Sequence, residues 1–275
     1  MTTLLVASFF SLLIGGVLGM LGGGGGILAV PVLVYILGVP AKPAIAASLF
    51  FVGTTSAVGA GFAAREKRVR WKLGGMFGAA SMIGAFGGGR LSALIPERVL
   101  LSALSIIMLV TALAMLRGRS DNQGRSSVAV SRVFAIGASV GLVSGLVGAG
   151  GGFLIVPALT IFGGLAMREA IGTSLYIIAL QSFAGFAGQI SHVTFDVRLA
   201  SVMTASAVVG MVIGSWGGKR VSADVLKKAF AGLVLTTGLF VLGRQLPLVW
   251  TVQAAALVLV LAYITSRRRT SNQSP

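Results

Sequence analysis

The segment MLGGGGGILAVP, residues 20–31, places five consecutive glycines, Gly22–Gly26, inside an otherwise apolar stretch. Glycine in a helix interior is less favourable than alanine by about 1 kcal/mol, so a run of five interrupts any helix that enters it. Pro31 follows shortly after the run and cannot donate a backbone hydrogen bond. The segment therefore predicts a deliberate break in a hydrophobic helix.

The composition around this break is that of a membrane protein. The chain is 56% hydrophobic and 10% charged, with a mean hydropathy of +0.97. A soluble domain carries about 25% charged residues. The apolar stretches 73–95, 99–116 and 248–266 approach the roughly 20 residues that a membrane-spanning helix needs. We predict an all-α, polytopic membrane protein with the lipid bilayer as its surroundings.

The charged residues exclude several other classes of protein. The net charge is +16, but the basic residues fall between apolar stretches, in segments 65–72, 117–132 and 267–269, as in cytoplasmic membrane loops. A nucleic-acid interface is therefore not expected. The chain has no cysteine and one histidine, and its six acidic residues lie in loops or at span ends. We predict no enzyme, no cofactor, no metal site and no cation pathway through the membrane, because such a pathway normally uses a buried carboxylate.

The glycine break occurs twice. GMLGGGGGILAVP, residues 19–31, matches GLVGAGGGFLIVP, residues 145–157, at an offset of 126 residues, which pairs Ser48 with Ser174 further on. Residues 84–93 match 214–223 at an offset of 130. This repeat predicts four parts: a first transmembrane repeat 1–116, a basic cytoplasmic loop 117–132, a second repeat 133–245, and an extra transmembrane helix with a basic tail, 246–275.

The basic residues also predict the orientation of the two halves. Each glycine-broken segment either crosses the membrane once or returns as a re-entrant hairpin. With Arg90 left out of the 22 Lys and Arg residues, hairpins leave four outside, Lys42, Arg98, Arg198 and Arg244, and 17 inside. A single crossing leaves nearly equal numbers on the two sides. The positive-inside rule favours hairpins, and hence two inverted repeats in the cytoplasmic (inner) membrane, with the N-terminus outside and the C-terminus inside.

Interrupted helices at corresponding positions of inverted repeats indicate a transporter's binding site. A helix that begins at glycines presents free N–H groups and a partial positive charge, which suits an anion. Gln181 shares a helix face with Ser174, seven residues earlier. The predicted substrate contacts are Gly23, Gly24, Gly25, Gly26, Pro31, Ser48, Gly150, Gly151, Gly152, Pro157, Thr173 and Ser174.

Each of these residue types also has a purely structural alternative. Glycine pairs such as Gly15–Gly19 and Gly84–Gly88 fit close helix packing better than ligand binding. Proline can simply kink a helix, and serine can bond to its own helix backbone. Arg90 and Arg220 are repeat partners near span ends, where they either draw anions to the two mouths or extend toward the membrane surface.

The two glycine segments, followed by AIAASL at 44–49 and AIGTSL at 170–175, resemble the TauE/SafE sulfite exporter family over about residues 5–245. The resemblance implies a permease that moves sulfite, sulfoacetate or another organosulfonate across the cytoplasmic membrane. We therefore expect a small anionic substrate carried by alternating access of the two repeats. The alternative is a non-transporting membrane scaffold or assembly protein, and a homo-oligomer is left open in either case.

Overall fold

The computed structural model describes residues 2–22, 26–117, 130–148, 150–161, 163–193, 196–218 and 221–245. Helices and short connections make up these ranges, and no strand occurs within them. The helices are α1 Thr2–Leu21, α2 Gly26–Pro31 with a π-helical continuation Val32–Ile36, α3 Ala41–Arg65, α4 Trp71–Ser92, α5 Glu97–Arg117, α6 Val130–Val147, α7 Gly152–Ile161, α8 Met167–Gln189, α9 Val197–Gly218 and α10 Ala223–Gln245.

Some predicted features lie outside the described residues. They are the extra C-terminal helix 246–275, most of the basic loop 117–132, the glycines Gly23, Gly24 and Gly25, and Arg220.

The prediction of an all-α fold is confirmed within the described ranges. Within the described ranges, four helical segments have the length and apolar composition to cross a membrane: Leu4–Leu21, Ala41–Arg65, Met167–Gln189 and Val197–Gly218. Large apolar side chains point outward from the bundle, among them Leu5, Ile83 and Trp216, each at least two-thirds exposed. A bilayer can cover such side chains, because lipid tails are as apolar as they are.

Helices α1 and α9 pack through small residues. A Cβ placed on Gly15 would overlap the carbonyl oxygen of Ala207, and one on Gly19 would overlap that of Met211. Both residue numbers rise together along this contact, so α1 and α9 run in the same direction. These glycines bring two backbones together, as the packing alternative predicts.

Helices α4 and α6 repeat this arrangement with the roles of the two halves exchanged. Gly141 and Gly145, each 126 residues after Gly15 and Gly19, meet the carbonyl oxygens of Ser81 and Ala85. Helices α4 and α6 are therefore also parallel. Each half of the chain thus lays its first helix against a later helix of the other half.

Helices α3 and α8 form the centre of the bundle and run in opposite directions. A Cβ on Gly53 would lie 3.2 Å from Cβ of Ser182, and one on Gly59 would lie 3.2 Å from Cδ1 of Leu175. One residue number rises as the other falls, which defines an antiparallel pair. Because α3 and α8 carry the equivalent sequences of the two repeats, equivalent helices point in opposite directions here.

The chain reverses between α6 and α7. Gly137, early in α6, lies against Phe77 of α4, and Gly145 lies further along α4 against Ala85. After α7 the chain has returned, because a Cβ on Gly163 would lie 3.0 Å from the side chain of Leu73. The chain therefore enters α6 and leaves α7 beside the same end of α4.

Candidate functional site

Two serine hydroxyls tie the glycine turns to the opposite halves of the chain. Ser48 Oγ in α3 donates to the carbonyl oxygen of Gly148 at 2.6 Å. Its repeat partner, Ser174 in α8, donates to the carbonyl oxygen of Gly22. Each serine thus lies at a glycine break, and the break is the one that belongs to the other repeat.

The same two hydroxyls also lie within reach of their own helices. Ser48 Oγ is 2.8 Å from the carbonyl oxygen of Ile45, and Ser174 Oγ is 2.8 Å from that of Ile171. This contact three residues back is the local alternative that serine always offers in a helix. Both side chains are fully buried, so the hydroxyl hydrogens are shared between carbonyls and not with lipid.

The described glycines at the two breaks adopt a backbone conformation that other residues rarely take. Gly22 has φ +64° and Gly148 has φ +73°. A Cβ on Gly22 would lie 2.5 Å from Ile171 Cγ2, and one on Gly148 would lie 2.6 Å from Ile45 Cγ2. Glycine is therefore required both by the positive φ and by the close approach of an equivalent isoleucine from the other half.

The second break continues through two more left-handed residues before α7 begins. Gly150 has φ +64° and Gly151 has φ +63°. A Cβ on Gly150 would lie 2.5 Å from Val52 Cγ1, and one on Gly151 would overlap the side-chain amide of Gln181. The glycine turn is thus covered by side chains of α3 and α8, which form the central pair of the bundle.

Gln181 is a polar side chain at this turn that the predicted site did not include. It is fully buried, and its Nε2 donates to the carbonyl oxygen of Gly150 at 2.6 Å and to Ser144 Oγ at 3.2 Å. The available signal was its position seven residues after Ser174 on the same helix face. Sequence spacing shows a shared face, but it does not show which distant backbone group that face meets.

Thr173 lies away from the glycine turns. Its Oγ1 accepts a hydrogen bond of 3.0 Å from the backbone N–H of Arg70, at the start of α4. Pro157 lies within α7, and Pro31 ends α2 directly before the π-helical turn, in which Leu37 N donates to Val32 O at 3.1 Å. Both prolines therefore lie in the short helices that follow the glycine turns.

A cavity of about 270 Å³ opens at one end of the bundle, beside the first glycine turn. Ile171, which covers Gly22, is part of its wall, together with Glu66, Arg68 and Arg168. Arg68 and Glu66 form an ion pair. With two guanidinium groups and one carboxylate on these three side chains, the charged part of the wall has a net positive charge, which favours anions.

Arg90 lies at the end of α4, exposed, with its guanidinium carbon 5.7 Å from the centre of the Phe86 ring. This is a cation–π contact within one helix. The side chain stays accessible at this end of the helix. Within the described residues, no three acidic or histidine side chains are grouped closely enough to hold a metal ion.

These features define an all-helical, multi-pass membrane protein with two equivalent glycine-broken helices. The profile of the family "Sulfite exporter TauE/SafE" matches residues 7–241, and the chain belongs to this family of membrane transporters. The resemblance in the glycine segments is thereby confirmed.

Curated relatives extend over nearly the whole family region. A "Probable membrane transporter protein" of Xylella fastidiosa (strain 9a5c) is 31% identical over 242 residues, 85% of this chain and 92% of the relative. The "Probable membrane transporter protein YdhB" of Bacillus subtilis (strain 168) is 28% identical over 239 residues, which are 81% of this chain and 96% of the relative. No solved structure matches the chain.

Proposed function

We propose that this transporter is a permease for a small anion, a sulfur oxyanion or organosulfonate, working by alternating access between two inverted repeats. The observation that carries the proposal is the exchanged pair of bonds from Ser48 to Gly148 and from Ser174 to Gly22. Each glycine turn is held by the other half of the chain. A relative movement of the halves therefore changes both turns at once.

The inverted relation of the halves is supported by the central helices. α3 and α8 carry equivalent sequences and are antiparallel, so the two halves cross any common plane in opposite directions. The reversal between α6 and α7 supports a hairpin in place of a single crossing. Both features are what the distribution of basic residues favours.

The proposed binding groups are backbone N–H donors at the glycine turns. The first N–H groups of a helix have no partner inside it, and α7 begins at Gly152, directly after the left-handed residues Gly150 and Gly151. They carry the partial positive charge of the helix N-terminus, which suits an anion. In the described structure the turn is covered by Val52 and Gln181, which corresponds to a closed site that opens when the halves move apart.

The scaffold alternative also has an observation in its favour. Gly22 and Gly148 have positive φ and fit closely against isoleucines, so backbone conformation and packing explain these glycines without a ligand. The permease and the scaffold differ in the anion flux that the folded protein supports. A permease moves an anion after reconstitution, whereas a scaffold does not.

The deciding experiment is transport by the purified protein in liposomes. The substrates are sulfite, thiosulfate, sulfate, sulfoacetate and taurine, each supplied as the internal or the external solute. We expect saturable flux of at least one of them above protein-free liposomes. Absence of flux for the whole panel, with a monodisperse protein of normal helix content, contradicts the anion permease and favours the scaffold.

A further inference from the structure

The side-chain amide of Gln181 has hydrogen-bond partners at its nitrogen but none, among the described residues, at its oxygen. Its Nε2 donates to Gly150 O and to Ser144 Oγ, whereas its buried Oε1 has no hydrogen-bond partner among the described residues. The residue is fully buried. Buried acceptors in proteins are nearly always paired, and each exception calls for an explanation.

The orientation of this amide is determined by its surroundings. The carbonyl oxygen of Gly150 lies 2.6 Å from the amide nitrogen, and a carbonyl can only accept. Turning the amide over would place two acceptors against each other. Oε1 is therefore the atom that lacks a partner, and it sits on the same amide group that touches the glycine turn.

This acceptor belongs to the second half of the chain. The repeat partner of Gln181 is Thr55, whose Oγ1 donates to Phe51 O of its own helix at 2.8 Å. The hydroxyl of Thr55 is thus hydrogen-bonded within its own helix. The two otherwise equivalent breaks differ at this position.

We infer that Gln181 Oε1 accepts a hydrogen bond from the transported anion, so that the site takes monoanions that carry one O–H or N–H donor. The inference rests on the proposed anion permease. The N–H groups at the start of α7 bind the anionic oxygens, and Gln181 binds the donor beside them. A fully deprotonated oxyanion of the same size places an oxygen against Oε1, and this repulsion is not screened in a buried site. Hydrogensulfite and hydroxy-substituted sulfonates satisfy both requirements.

The test compares ethanesulfonate with 2-hydroxyethanesulfonate in proteoliposomes. Both are monoanions at every working pH, and they differ by one hydroxyl donor. We expect the wild-type protein to prefer the hydroxylated anion in flux per unit concentration by about tenfold, the effect of one net hydrogen bond.

The variant Gln181→Met keeps an unbranched side chain of similar length and removes the acceptor together with the amide donor to Gly150 O and Ser144 Oγ. The readout is the ratio of the two fluxes and not their absolute size, and we expect this ratio to fall to about one because the preference for the hydroxylated anion is lost. Gln189→Met is the matched control. Gln189 is also buried in α8 and donates to Ser92 Oγ at 2.9 Å and Gly145 O at 3.2 Å, and its Oε1 likewise lacks a partner among the described residues. It lies away from the turn at Gly150, so this control should keep the wild-type ratio.

A second measurement needs no variant. At constant total sulfite, wild-type flux should follow the hydrogensulfite share as the pH rises, while ethanesulfonate flux stays level. Equal wild-type rates for the two sulfonates, or an unchanged ratio in Gln181→Met, overturn the role of Gln181 and leave the permease intact. Flux of no anion at all overturns the permease itself.

Discussion

The hydroxyl of Ser48 donates to the carbonyl oxygen of Gly148, and 126 residues along the chain Ser174 donates in the same way to Gly22. The donor and acceptor of each bond belong to different halves. The proposed inverted repeats require such an exchange of equivalent bonds between the halves, as an isologous dimer does between its subunits. Here both halves are in one chain.

These bonds predict that the two serines contribute equally to the free energy of unfolding and to flux. Ser48→Ala and Ser174→Ala each leave a buried glycine carbonyl without its donor, which costs about 1–3 kcal/mol of unfolding free energy. Thermal unfolding in detergent should show similar losses for both variants, together with reduced flux. Ser105→Ala is the control, because Ser105 is buried but bonds only to Leu101 O of its own helix, at 2.8 Å, within the described structure. A large effect in one serine variant alone contradicts the two-fold equivalence.

The left-handed turn at Gly150 predicts that Val52→Ala partly restores the stability that Gly150→Ala loses. Gly150→Ala suffers both a positive φ, which costs about 1–2 kcal/mol, and a Cβ 2.5 Å from Val52 Cγ1. Adding Val52→Ala removes the close contact and leaves the backbone strain. The double variant should therefore be more stable than the sum of the two single effects predicts. Strict additivity of the two losses shows that Val52 does not touch this turn.

The small-residue contact between α4 and α6 predicts opposite effects for two glycines of one helix. Gly84→Ala forces the helices apart, because its Cβ overlaps the carbonyl oxygen of Ala138. Gly87→Ala meets open space within the described structure, and it should stabilise the helix by about 0.5–1 kcal/mol. Melting temperatures of the two variants in the same detergent check the difference. Equal destabilisation by both would contradict the packing.

The predicted orientation can be tested with single cysteines, because the chain has none. Lys42 Nζ bonds to Ala93 O at one end of α3, whereas Arg70 pairs with Glu169 at the other end. We expect an impermeant thiol reagent to label cysteines at 42 and 198 from outside intact cells. Cysteines at 70, 227 and 268 should react only after permeabilisation. Labelling of 227 and 268 from outside indicates parallel repeats.

Arg90 predicts a salt-dependent effect. If its exposed guanidinium gathers anions at the mouth, Arg90→Gln raises the apparent KM at low ionic strength, and added salt reduces the difference by screening. Arg98→Gln removes another exposed charge, from α5, and serves as the control. An unchanged KM at low salt, with a lower yield of folded protein, assigns Arg90 to anchoring at the membrane surface.

The glycine breaks themselves were predictable, because propensity and composition act locally. Five glycines cannot continue a helix, and an apolar chain with few charges cannot cover a surface in water. The repeat offset of 126 residues is also enough to make Ser48 and Ser174 equivalent positions. Packing roles for Gly15 and Gly141 follow from their spacing alone.

The partners of those residues were not predictable in the same way. Gln181 bonds to Gly150, 31 residues away, and Thr173 bonds to the backbone of Arg70, 103 residues away. No helical spacing relates such positions. Thr173 directly precedes Ser174, yet the helix turns it toward α4 and away from the glycine break.

By itself the sequence determined the membrane class, the duplication and the sites of the helix breaks, since these depend on residue type and local order along the chain. Only the tertiary structure decided that each break is held by the opposite half, that α3 and α8 are antiparallel, and that Gln181 keeps an acceptor beside Gly150 with no partner among the described residues. The physical reason is that hydrogen bonds and close packing need two surfaces at atomic distance. That distance depends on how whole helices pack, and it cannot be derived from the order of residues within one helix.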